Sequence, residues 1–139
     1  MDQRLRNFYL ESRINNATPG ELLVMLYDGL IEHAEYADQE ITEPTNPADP
    51  SAAAREVSRC IDILTELNTA LNHAVDGKLC ASLSDLYLFF TRQFSEALDL
   101  RAPKKIRDIL PLIRDLRKTW AEADRRSNVF QPGAVAVAG

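Results

Sequence analysis

Proline and glycine punctuate this chain so that four long stretches lie between breakers, and every stretch repeats its apolar residues at a helical period. The breakers are Pro19-Gly20, then Pro44, Pro47 and Pro50, then Gly77, then Pro103, and finally Pro132-Gly133. Regular elements stop or start at such residues because proline lacks a donor and glycine costs backbone entropy. The first stretch, about Pro19 to Ile41, opens with Thr18 as N-cap, Pro19 at the first helical position and Glu21 three residues after the cap, a capping box. Leu23, Leu26, Leu30, Ala34, Ala37 and Ile41 then fall on one helical face. The second, about Ser51 to Val75, carries Ala53, Val57, Cys60, Leu64, Leu67, Leu71 and Ala74, with Gly77 as the expected C-cap. The third, about Lys78 to Leu100, has Leu79, Leu83, Leu86, Phe90, Phe94 and Ala97. Tyr87, Leu88 and Phe89 add further apolar positions, so this helix is predicted to be the most buried. The fourth, about Pro103 to Arg126, has Ile106, Ile109, Ile113, Leu116, Trp120 and Ala123, and Pro111 predicts a kink or a broken first turn.

No stretch alternates apolar and polar residues with β-branched bias, so no strand is assigned. Helices of roughly 20–25 residues are roughly 30–38 Å long, and the short links at Asp76-Gly77 and Arg101-Ala102 favour antiparallel neighbours. The predicted fold is all-α: an antiparallel four-helix bundle with a short N-terminal segment packed on it. One domain, 1–126, is expected, followed by an apolar segment, 127–139. At 139 residues and 45% hydrophobic content the chain has enough material for one core without staples.

Composition removes several function classes. Sixteen Lys and Arg against 21 Asp and Glu leave a net charge of −5, which supplies no general pull toward nucleic acid or anionic lipid. Two cysteines do not make a disulfide framework. An apolar leader and a long uninterrupted apolar run are missing, so neither export by signal peptide nor membrane insertion is expected, and the cytoplasm is the expected location. Charge is nevertheless uneven. Residues 32–50 hold Glu32, Glu35, Asp38, Glu40, Glu43 and Asp49 with no cation, whereas residues 101–126 hold nine cations against four acids. Two solvated helix faces attracting each other, or a docking edge for a charged partner, both fit this split.

Chemistry-bearing motifs are scarce. A di-iron bundle needs Glu-x-x-His pairs, but Leu30 and Ala70 stand three residues before His33 and His73. Cys60 and Cys80 lack ligand spacing and read as core thiols, so no metal or other cofactor is expected. Gly-rich phosphate loops are missing too. Histidine phosphotransfer domains are also four-helix bundles, with Lys at +3 and Gly at +4 from the phosphorylated histidine. His73 has Gly77 at +4 but Asp76 at +3, an anion where a phosphoryl group needs a cation.

The stretch Ala17-Thr-Pro-Gly-Glu-Leu-Leu-Val-Met-Leu-Tyr-Asp-Gly29 resembles the signature of the FliS family of flagellin export chaperones. Leu86-Tyr87, followed by Phe89 and Phe90, resembles that family's Leu-Tyr-x-aromatic element. Leu116-Arg-Lys-Thr-Trp-Ala-Glu-Ala123 resembles its closing Leu-Arg-x-Thr-Trp-x-x-Ala stretch, and Tyr9 and Ile14 stand where the family carries Tyr and Val ahead of the first long helix. The resemblance implies a non-enzymatic cytoplasmic chaperone that binds the C-terminal region of flagellin and prevents its premature polymerisation. It also implies that the N-terminal element contacts the flagellar export gate. Arg6 departs from the pattern, since the family usually has an aromatic or apolar residue there.

Apolar positions exceed the roughly three in seven that a bundle helix needs. Leu22, Val24, Met25 and Ile31 in the first helix, with Ile61 and Ile63 in the second, are surplus. Surplus apolar surface implies a covering element or a partner. The client-binding and N-terminal-cap residues expected from this surplus and from the resemblance are Tyr9, Ile14, Leu22, Met25, Leu26, Tyr27, Ile61 and Leu64. A homodimer using the same surface on itself is the structural rival. Ser127–Gly139 carries no charge, and two readings of it are open: an end without fixed structure, or a segment lying in the client's groove with Phe130 as anchor.

Overall fold

The computed structural model describes residues 16–123 of the chain; Arg6, Tyr9, Ile14 and the segment 127–139 lie outside the described residues. Among the described residues there are four long helices and no strand: α1 (Pro19–Thr42), α2 (Ala52–Thr69), α3 (Gly77–Asp99) and α4 (Lys104–Ala123). α1 packs on α2 and α4, and α3 packs on the same two, so the helices close a ring in chain order. Cross-helix pairs give the directions. Asp28, Glu35 and Asp38 of α1 meet Arg117, Arg114 and Arg107 of α4, one series rising as the other falls. His33 meets Glu56, while Leu30 meets Cys60. Both neighbours of α1 therefore run antiparallel to it, as predicted.

The helix starts follow local chemistry. Thr18 Oγ1 accepts from the Glu21 N–H at 3.1 Å, and Pro19 sits in the first turn, where its missing donor costs nothing. Asp76 does the same for α3, accepting from the Leu79 N–H at 3.0 Å. This cap corrects the reading of Gly77: it begins α3 instead of ending α2. α2 stops at Thr69, not Val75, and residues 70–76 form the turn between the helices. Asp76 caps with its own backbone extended, at φ −152° and ψ 92°, so a helix running on through it would forfeit the start of α3. Leu71 stays buried in that turn, whereas Ala74 is exposed.

At the far end of α3 the chain closes a Schellman motif. The Ala102 N–H reaches the Ala97 carbonyl at 2.9 Å and the Arg101 N–H reaches Leu98 at 3.3 Å. The motif needs a left-handed residue, and Arg101 supplies it with φ of 50° where glycine would be unstrained. Arg101→Gly is expected to stabilise the protein by about 1 kcal/mol, read as a higher urea midpoint at unchanged slope.

The core runs the length of the ring. Leu23, Tyr27, Leu30, Ala34, Ala37 and Ile41 of α1 face Ala53, Val57, Cys60, Leu64 and Leu67 of α2. Cys80, Leu83, Tyr87, Phe90, Phe94 and Ala97 of α3 and Ile106, Ile109, Leu110, Ile113 and Trp120 of α4 complete it. α3, expected to be the most buried helix, leaves part of its apolar surplus in solvent. Leu88 is 56% exposed and Phe89 41%, and Leu79 also reaches the surface. In a four-membered ring a helix has only one inward face, and these three residues point off it. The helix α4 runs through Pro111 without a break in its assignment, so the broken first turn is not found. Pro111 lies on the exposed side, where the carbonyl of Arg107 can turn to water.

Candidate docking surfaces

The signature residue Tyr27 is fully buried, and its hydroxyl joins three helices. The Trp120 indole N–H of α4 donates to Tyr27 Oη at 3.2 Å, and Tyr27 Oη lies 2.6 Å from Tyr87 Oη of α3. Burial pushes the Tyr27 phenol up to about 12, against smaller opposing effects of the bonds to Tyr87 and Trp120. Burial likewise pushes Tyr87 up. Such a buried, mutually satisfied group fixes the rotation of α1, α3 and α4 relative to one another. Tyr27 and Leu64, the latter 1% exposed, therefore shape the surface from beneath and do not present themselves to a partner in this conformation.

Other expected site residues separate into two places. Leu22 and Ala70 form a small buried cluster apart from the main core, with Ala17, Met25 and Leu26 packed partly exposed against it. This patch lies at the start of α1, immediately after the segment that carries Tyr9 and Ile14. One turn further along, Gly29 faces Ile63 of α2, whose Cδ1 would lie 3.4 Å from a Cβ built there, an ordinary contact distance. Next comes the half-buried pair of His33 Nδ1 and Glu56 Oε2, 2.6 Å apart. Ile61 is not part of this patch. Glu56 and Ile63 mark the flank of α2 that faces α1, and helical spacing puts Ile61 on the opposite flank, toward α3.

The charge split resolves within the bundle. Arg117 bonds Asp28 at 2.6 Å, Arg114 bonds Glu35 at 2.7 Å, and Arg107 bonds Asp38 at 2.9 Å. Each exposed pair is worth about 0–1 kcal/mol, so the ladder mainly sets register between α1 and α4. In the α1–α2 loop, hydrogen bonds from Arg55 and Ser51 hold the Asp49 carboxyl down to about 2.

A second apolar surface went unseen in the sequence. Lys105 Nζ of α4 bonds Glu96 of α3 at 3.0 Å, which fixes the facing flanks and level of these helices. Seven residues from each, on the same two flanks, stand Leu112 (47% exposed) and Phe89 (41%). Leu86 and Leu116, half-buried against the core, follow in the same seam. The pattern that reveals it is the heptad step from Glu96 to Phe89 and from Lys105 to Leu112, legible only once the two helices are known to pair.

Among the described residues no group of three potential metal ligands comes together. Cys60 and Cys80 are buried, and burial pushes both thiols up, which leaves them poor nucleophiles. His73 is exposed in the turn between α2 and α3, not on a helix face as in a phosphotransfer domain. No helix among the described residues is long and apolar enough to cross a membrane.

The profile of the family described as "Flagellar protein FliS" matches residues 1–127. This chain belongs to the FliS family. Two relatives agree with this match. The flagellar secretion chaperone FliS of Bacillus subtilis (strain 168) is 26% identical over 130 residues, covering 94% of this chain and 93% of that protein. Flagellar secretion chaperone FliS of Salmonella typhimurium (strain LT2) is 23% identical over 124 residues, covering 86% of each. FliS is a chaperone family and not an enzyme family.

Proposed function

We propose that this protein is a cytoplasmic secretion chaperone whose client is the C-terminal region of flagellin, held so that it does not polymerise before export. The observation that carries this reading is the patch of Met25 and Leu26 over Leu22 and Ala70, apolar and partly open, set apart from the core. A client helix with one apolar face covers such a patch and loses the face it needs for self-assembly. Ordering a disordered client costs several kcal/mol, so the client must reach apolar contacts beyond this patch, Ile61 on the other flank of α2 among them. The segment bearing Tyr9 and Ile14 covers the patch in the free protein and gives way to the client. The same segment serves the export gate, with Arg6 altering that contact.

Co-expression with a tagged flagellin C-terminal segment tests the reading. The two chains are expected to co-elute as a 1:1 complex, and Met25→Asp is expected to abolish co-elution, with a cooperative thermal transition of the free variant showing that it still folds. Free chaperone that instead elutes as a concentration-dependent dimer and ignores flagellin would establish the homodimer.

A further inference from the structure

We infer that the outer face of α3 binds the same face of a second copy of this chain, the two helices running antiparallel about a two-fold axis between Leu88 and Phe89. Lys78, Asp85, Leu88, Phe89, Arg92 and Asp99 are all exposed and fall along one stripe of the helix. The four charged residues follow one another at steps of seven, which keeps them on that stripe. Their order is its own complement when reversed. Lys78 and Asp99 lie equally far on either side of the midpoint between Leu88 and Phe89, and so do Asp85 and Arg92. An antiparallel copy therefore sets Lys78 against the partner's Asp99 and Asp85 against the partner's Arg92, each twice. A parallel copy would set like against like at every one of these positions.

Within one chain these charges are poorly served. No ion pair joins any of the four to another described residue, whereas Glu96 of α3 and Arg107, Arg114 and Arg117 of α4 are all paired. Lys78 in the first turn and Asp99 at the last residue also oppose the helix dipole, which favours anions at the start and cations at the end. An antiparallel copy brings the opposite charge to both ends at once. Exposed ion pairs add little adhesion, so they choose the register while the apolar centre holds the copies together. Leu88 is 56% exposed and Phe89 41%, and Leu112 of α4, level with Phe89, is 47% exposed. Across the axis Leu88 meets the partner's Leu88 and Phe89 meets the partner's Phe89, so four large side chains leave water in one layer. α3 packs on α2 and α4 and lies across the ring from α1, so the patch at Met25 and Leu26 stays open in the pair. Each chain keeps its own client site, and the proposal does not rest on the client's identity.

Sedimentation equilibrium of the full chain tests this. The mass is expected to rise from one chain toward two between micromolar and millimolar concentration. Arg92→Asp turns attraction into repulsion at two symmetry-related places and is expected to raise the dissociation constant about tenfold. Asp85→Arg alone is expected to do the same. Combining the two substitutions restores opposite charges across the axis, and the constant is expected to return to that of the unaltered chain. Leu88→Asp is expected to leave a monomer. A chain that stays monomeric up to millimolar concentration would overturn the proposal. A dimer that ignores these substitutions, or yields to Met25→Asp instead, would overturn it as well. So would a dimer weakened by each single charge reversal and not recovered when the two are combined.

Discussion

Trp120→Ala should destabilise the bundle by about 3–5 kcal/mol, a large share of the roughly 5–15 kcal/mol that holds a domain of this size together. The indole is 6% exposed on α4, and its removal both empties a large core volume and withdraws the donor to Tyr27 Oη. Trp120→Phe separates the two effects. It keeps an aromatic ring in place and removes the N–H, and the expected cost of the lost bond is about 1 kcal/mol beyond that of the smaller ring. Urea unfolding of the three proteins gives these differences directly. The same buried trio predicts alkaline sensitivity. In the unfolded chain tyrosines ionise near pH 10, whereas burial holds the Tyr27 proton up to about pH 12. The unfolded state therefore binds fewer protons in that window, so stability present below pH 10 is lost as pH rises toward 12. An unfolding midpoint that stayed level across it would show that the phenols reach water.

Pro111→Ala should act in the opposite direction, raising stability by about 2 kcal/mol. Proline in a helix interior is about 3 kcal/mol less favourable than alanine, and roughly 1 kcal/mol is returned because proline also restricts the unfolded chain. Pro111 stands well inside α4, between the buried Leu110 and Ile113, and faces solvent. The substitution restores the donor for the Arg107 carbonyl without touching the core. A raised thermal midpoint is the expected reading, and a lowered one would mean that α4 needs the bend that proline imposes.

The four helices and most of their inward faces were legible because breakers and period are local properties. Thr18, Pro19 and Glu21 announce the start of α1, and the cap bond forms where they put it. Misreadings arose where one residue type serves two structural ends. Gly77 fits equally well after one helix or at the head of the next, and the Asp76 side chain decides between them. Apolar residues at Leu88 and Phe89 look like core because composition does not say how many faces of α3 have neighbours. Among candidate site residues, Leu22 and Met25 stand out in the sequence as surplus over a single seam, whereas Leu26 lies on the seam itself; the structure brings the three into one patch. Tyr27 and Leu64 belong to the support beneath it, since a family signature marks what is needed without saying whether it is needed inside or out. The pairing of Phe89 with Leu112 depends on the register between two helices, a long-range quantity that no window of sequence contains.

Isothermal titration calorimetry of the full chain with a flagellin C-terminal segment, repeated at several temperatures, tests the central claim most directly. The account predicts saturable 1:1 binding whose enthalpy becomes steadily more negative on warming, because burying apolar surface carries a large negative heat-capacity change. Absence of binding, or binding with an enthalpy independent of temperature, would contradict it.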